Sequence, residues 1–204
     1  MSLYTYKAQV TLLLQILPSI ALKKCFAMHG GSAINLFVRE IPRLSVDIDL
    51  TYLPIEDRVS TFKNIEAALL EVKEHLIKVI PGILITGPFK HPNQAKLFCN
   101  LHGVQVKAEV NTIMRGVIDK PVIRQLSVRT QEKFDQFCEM PIVPIGQLYG
   151  GKICAALDRQ HPRDLFDVKK MFENTGYTEK IHHGFLFCLS KTQTTKSTKT
   201  QNTT

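Results

Sequence analysis

Apolar positions recur along the chain at two periods, and the period switches mark its elements. Residues 4–24 carry Leu12, Leu13, Ile16 and Leu17 at helical spacing, with Pro18 expected to kink or split the segment. Cys25–His29 reads as a short strand. Gly30-Gly31-Ser32 follows, with Ser32 placed to cap a helix bearing Ile34, Leu36, Phe37 and Val38. Val46–Leu53 alternates: Val46, Ile48 and Leu50 point one way, Asp47, Asp49 and Thr51 the other. From about Glu56 to Ile80, Phe62, Ile65, Leu69, Val72, Leu76 and Val79 step by threes and fours, which predicts a long amphipathic helix.

Residues 82–130 read as β-rich. Ile83–Thr86, Ala95–Leu101, Val104–Asn111 and Pro121–Arg129 are strand candidates, and His102-Gly103 is a hairpin turn between the middle two. In Val104–Asn111 one face holds Val104, Val106, Ala108 and Val110, the other Lys107 and Glu109. From Pro141 the character changes. Ile142–Pro144 is short and apolar, and Gly146–Asp158, Arg163–Glu173 and Thr178–Ser190 predict three helices. Residues 191–204 contain no apolar side chain, so a disordered tail is expected. The pattern therefore predicts an α+β (α/β) fold: a mixed sheet with flanking helices over 1–140, then a small helical domain over 141–190.

Composition narrows the class. The 204 residues are 44% hydrophobic and 22% charged, which is ordinary globular usage and excludes a disordered or collagen-like chain. No apolar run is long enough for a membrane-spanning helix. The opening MSLYTYKAQV has no basic patch followed by an apolar core, so no secretory signal is expected. Cys25, Cys99, Cys138, Cys154 and Cys188 show no CxxC spacing. They read as reduced thiols of a cytoplasmic protein, not a disulfide frame or zinc site. The net charge of +8 favours a polyanionic partner, although Lys191, Lys196 and Lys199 place part of it in the tail.

The chemistry concentrates in Gly30-Gly31-Ser32 and in Arg43-Leu44-Ser45-Val46-Asp47-Ile48-Asp49-Leu50. Aspartates at i and i+2 of a strand share a face and can share a hard cation such as magnesium, whose shell phosphate oxygens complete. A third carboxylate on a neighbouring strand would complete a two-metal site, and Glu109 has the right phase. A glycine-serine turn before a helix offers backbone N–H groups to phosphate. Taken singly each feature has a plain alternative: alternating Asp is a solvated strand face, and Gly-Gly is a tight turn. Their order along one chain is what a nucleotidyltransferase palm needs.

With GGSAINLF and RLSVDIDL, and with the distal KICAAL and HPRDLFDV, the chain resembles the AbiEii/AbiGii-type nucleotidyltransferase toxins of the DNA polymerase β-like superfamily. The resemblance covers about residues 25–190. It implies a palm that binds a nucleoside triphosphate with one or two Mg2+ ions and transfers a nucleotide to an acceptor. In some members that acceptor is the 3′ end of tRNA, and a cognate antitoxin neutralises the toxin. It also implies roles. Gly30, Gly31 and Ser32 hold the triphosphate, and Asp47 and Asp49 bind metal with Glu109. Lys152 neutralises phosphate charge, and Asp164 serves activity, with Arg163 and Asp167 beside it. By chemistry alone, Arg163-Asp164 also reads as a salt-bridged, dipole-matched helix start.

Other residues stay open. His29 adjoins the turn and either lines the nucleotide site or packs beside it. His182-His183 read as a surface pair. Lys90, Lys96, Lys107, Arg115, Lys120, Arg124 and Arg129 could track an RNA backbone or form a solvated face. Family members continue into further helices where this chain turns polar, so the helical domain reads as truncated. The expected function is magnesium-dependent transfer from an NTP to an RNA acceptor, as a toxin of a toxin–antitoxin or phage-defence pair. The alternatives are a catalytically silent nucleotide-binding module, and a transferase acting on a protein or small molecule.

Overall fold

The computed structural model describes residues 3–88 and 95–200, with side chains described at 5–88 and 95–191. The chain forms two compact units. The first is Met1–Gly116 with Val122–Ile142, and the second is Val117–Pro121 with Val143–Thr204.

In the first unit a seven-stranded mixed sheet is ordered β3-β4-β5-β2-β1-β7-β6. Its strands are β1 (Phe26–His29), β2 (Ile48–Tyr52), β3 (Leu84–Thr86), β4 (Lys96–Leu101), β5 (Val104–Asn111), β6 (Val122–Gln125) and β7 (Glu139–Ile142). β2 runs antiparallel to β1 and parallel to β5, while β7 lies parallel to β1 and antiparallel to β6. Period-2 burial follows the expected alternation: Leu97, Cys99, Val106, Ala108 and Val110 are buried and their neighbours are not.

Two helices cover the apolar side. α1 (Leu3–Ala21) packs on β5, β7 and β1, burying Tyr6, Val10, Leu13, Leu14, Leu17 and Ile20. Pro18 neither kinks it away nor splits it: it is exposed in the last turn, and the helix ends three residues later. α3 (Arg58–Val79) packs on β3, β4 and α1 through Ile65, Ala68, Leu69, Val72 and Leu76. Asp57 caps it, its Oδ1 accepting from Val59 N at 2.9 Å and Ser60 N at 3.0 Å. Val79, expected on the buried stripe, is half exposed, and Ile80 beyond the helix end is buried instead.

The segment after β1 departs from expectation. The helix starts at Gly30 as α2 (Gly30–Ala33), capped by His29 without a side-chain bond, so Ser32 is not its cap. It widens into a π-helical turn, Ile34–Val38, where Arg39 N donates to Ile34 O at 2.8 Å. Pro121–Arg129 is not one strand: β6 stops at Gln125, and α4 (Val128–Phe134) follows.

The second unit is helical: α5 (Ile145–Arg159), α6 (Pro162–Asn174) and α7 (Glu179–Thr200). α7 runs on through the polar stretch where composition predicts disorder, while 201–204 lie outside the described residues, as does Lys90. A helix closes its own backbone hydrogen bonds whether or not it buries a face. α5 and α7 meet backbone to backbone. A methyl group at Gly150 would stand 2.3 Å from Gly184 C and Phe185 N, and one at Gly184 would stand 2.1 Å from Gly146 O. Gly146, Gly150 and Gly184 thus share one seam, continued by Cys154 and Cys188, whose thiols point at Phe185 O and Gln147 O at 3.8 Å. Burial pushes the thiols of Cys99, Cys138 and Cys188 up to about 12. No disulfide joins the five cysteines, and no helix among the described residues is long and apolar enough to cross a membrane.

Because the seam is backbone against backbone, a side chain cannot be taken up by a rotamer change. Gly150→Val is expected to destabilise the protein by about 3 kcal/mol or more. Gly151→Ala, on the same helix with only an ordinary contact to Cys188 Sγ at 3.8 Å, serves as the comparison. Urea unfolding of both variants measures the difference.

Candidate functional site

In the first unit the backbone ladders bring the expected residues together. β1–β2 pairing sets His29 opposite Asp49, and β2–β5 pairing sets Asp49 opposite Glu109. β4–β5 pairing then sets Lys96 opposite Glu109 and Phe98 opposite Lys107. A row His29–Asp49–Glu109–Lys96 therefore crosses four strands on the polar face. Continuing the register back from Ile48↔Ala108 puts Asp47, just before β2, beside Lys107.

The glycine turn is built against this row. Gly30 has φ +78, and a methyl group there would stand 2.3 Å from Asp49 Oδ2, so both backbone conformation and space require glycine. A methyl at Gly31 would stand 2.6 Å from Arg43 Nη2 and 2.7 Å from Ser45 Oγ. Ser32, fully buried, donates through Oγ to Ser45 Oγ at 3.0 Å. His29 Nδ1 lies 3.0 Å from Thr51 Oγ1, so the ring is tied to the sheet beside the turn.

Asn35 was not singled out by sequence, yet it organises this corner. It is fully buried, its Nδ2 donates to Gly31 O at 2.6 Å, and its Oδ1 accepts from Arg43 N at 3.2 Å. The π-helical turn and the Asn35 amide together fasten the loop of Arg43 and Ser45 onto the glycine turn. The signal available was an amide inside an otherwise apolar helix, INLFV.

Lys107 is the second residue sequence reasoning placed only loosely. Its Nζ donates to Glu109 Oε2 at 2.8 Å, and Lys96 Nζ lies 4.0 Å from the other oxygen. Partial burial pulls the Lys107 pKa down. The bond to Glu109 and the charges of Glu109, Asp47 and Asp49 outweigh this and hold it above the ordinary value. Glu109 is thus engaged by two ammonium groups. Among the described residues no three carboxylate, imidazole or thiolate groups stand close enough to hold a metal ion. Asp47 and Asp49, with Glu109 opposite Asp49, are oxygen donors of the kind a magnesium ion takes together with phosphate oxygens.

The second unit holds its own cluster. Lys152 of α5 is nearly buried, its Nζ 2.9 Å from Asp164 Oδ1 and 3.3 Å from Asp167 Oδ2. Asp164 and Asp167, both 1% exposed, sit one turn apart on α6. Arg159 Nε reaches Asp164 Oδ2 at 2.6 Å. Burial alone would raise the Asp164 pKa, but hydrogen bonds and charges from Arg159 and Lys152 lower it to about 2. Buried Lys152 and exposed Arg159 meet the two buried carboxylates, which pins α5 to α6. Arg163 is exposed, and its N–H is received by His161 Nδ1 at 3.1 Å, which caps α6.

Comparison with known proteins places this geometry. The sequence model of one family, described as "Nucleotidyl transferase AbiEii toxin, Type IV TA system", matches residues 11–201, so the chain belongs to that family. No curated protein matches the sequence. The fold is similar to MenT4, a nucleotidyltransferase toxin from Mycobacterium tuberculosis H37Rv. The TM-score is 0.62 at 14% identity, over 84% of this chain and 60% of that one. The chain thus spans well under two thirds of that toxin's length.

The Asp164 cluster predicts an acid response. A carboxyl held near pH 2 when folded and ~3.9 when unfolded adds stability above pH ~4 and loses it as pH falls towards 2. Asp164→Asn is therefore expected to be less stable than the parent at pH 7. Its urea midpoint should also fall less between pH 5 and pH 2. Lys152→Met leaves two buried carboxylates with less charge compensation and is expected to cost about 3–5 kcal/mol.

Proposed function

We propose that this chain is a magnesium-dependent nucleotidyltransferase that moves a nucleotide from an NTP to an RNA acceptor, as the toxin of a toxin–antitoxin pair. The observation that carries the reading is the seating of Gly30 against the Asp49 carboxylate. It sets a turn rich in backbone N–H groups beside the Asp47–Asp49 face. Family membership supports the transferase and toxin parts of the reading. The basic residues of the sheet face favour RNA over a protein or small-molecule acceptor, with tRNA as the first acceptor to test.

Asp47 and Asp49 would hold the cation, and the Gly30–Ser32 turn would receive the triphosphate. Bound there, magnesium supplies Lewis-acid stabilisation of charge on the transferred and leaving phosphates. The acceptor hydroxyl passes its proton to a carboxylate of that face and attacks the α-phosphate in line, the bond to the β-phosphate breaks, and pyrophosphate leaves. Glu109 holds Lys107 against the carboxylate face and is a positioning residue in this scheme. In the second unit we assign Asp164 to fixing Lys152. A cognate antitoxin is the expected protein partner, and a reducing cytoplasm the expected setting.

Each of the four NTPs, α-labelled, is offered with magnesium and total bacterial RNA. Label is expected on a discrete RNA band. Asp49→Asn should lower it by more than the ~10–100-fold typical of losing an outer-shell metal partner. Nucleotide binding without label on RNA, protein or small molecules would favour the silent module instead. Full transfer by Asp49→Asn would overturn the mechanism.

A further inference from the structure

The polar face of the sheet carries an aromatic ring that the scheme above does not use. Phe98, on β4, is half buried among polar neighbours. Lys107 lies opposite it on β5, and Thr86 lies opposite it on β3. Lys96 Nζ is 6.0 Å from its ring centroid. Leu84, two residues from Thr86 on the same face, is 71% exposed. Asn100 and Gln105 flank the ring one pair further along.

Position gives this patch its meaning. The glycine turn stands on the β1 side of Asp49, and Phe98 stands on the other side, beyond β5. Two strand spacings, ~10 Å, separate β4 from β2. In-line transfer puts the attacking hydroxyl and the leaving pyrophosphate on opposite sides of the α-phosphate. With the triphosphate held towards β1, the acceptor strand enters over β5 and β4.

Resting on the transferase reading, we propose that Phe98, with Lys96 and Lys107, is a stacking platform for the single-stranded end of an RNA acceptor. The ring meets the face of a base, and Lys96, whose Nζ stands 4.0 Å from Glu109, offers its ammonium to a phosphodiester. A ring between lysines suits a polyanion.

The test is fluorescence anisotropy of the full chain with a short labelled single-stranded RNA of mixed sequence. Phe98→Leu keeps apolar volume but removes the stacking ring, and is expected to weaken binding about tenfold. Phe98→Trp should bind as tightly as the parent or more so. Lys96→Gln should reduce the salt slope by about 0.7. Thermal melting confirms that each variant is folded. No binding by the parent, or equal binding by folded Phe98→Leu, overturns the platform. RNA labelling is scored separately. Phe98-dependent binding without transfer upholds the platform and sinks the transferase reading. Transfer with an unchanged KM for RNA in Phe98→Leu does the reverse.

Discussion

Backbone pairing of β1, β2 and β5 is the constraint on which the site depends. Two ladders, one antiparallel and one parallel, hold Asp49 between His29 and Glu109. A slip of one residue on β2 would turn Asp49 into the core and bring Ile48 or Leu50 to the polar face. The buried ring of Ile48, Leu50, Ala108 and Val110 makes that slip costly, so the hydrophobic core fixes where the carboxylates stand. The glycine turn is set by the same pairing, because β1 delivers Gly30 against the Asp49 carboxylate.

Charge on the polar face is arranged around that pairing. Lys107 sits among three carboxylates, bonded to Glu109 and drawn by Asp47 and Asp49. The face is therefore already part-neutralised by protein. The second unit follows a different rule. Its buried Asp164 and Asp167 are met by buried Lys152 and exposed Arg159, and its helices close through glycine. Removing one partner of such a pair leaves the other charge buried and uncompensated.

Much of this was legible in sequence where side-chain period and polarity agreed. The β4–β5 hairpin, the long α3 and the order of GGS, DID and Glu109 all follow from period-2 and period-3.6 patterns. What escaped was set by backbone geometry. α4 buries only Thr130 and Phe134, too few positions to show a helical stripe against a strand-like run. Ser32 looked like a cap, but Gly30 with φ +78 starts the helix two residues earlier. Asn35 binds Gly31 O and Arg43 N, which meet only after the π-helical turn is made. Spacing alone also does not show that Asp164 and Asp167 close on Lys152.

The central claim is that Asp47 and Asp49 form a two-carboxylate face whose cation comes with the nucleotide. Manganese binding followed by electron paramagnetic resonance, with and without a non-hydrolysable NTP analogue, tests it most directly. The account predicts strong Mn2+ binding only when the analogue is present, abolished by Asp49→Asn and retained in Glu109→Gln. Equal Mn2+ binding without nucleotide, or binding indifferent to Asp49→Asn, would contradict it.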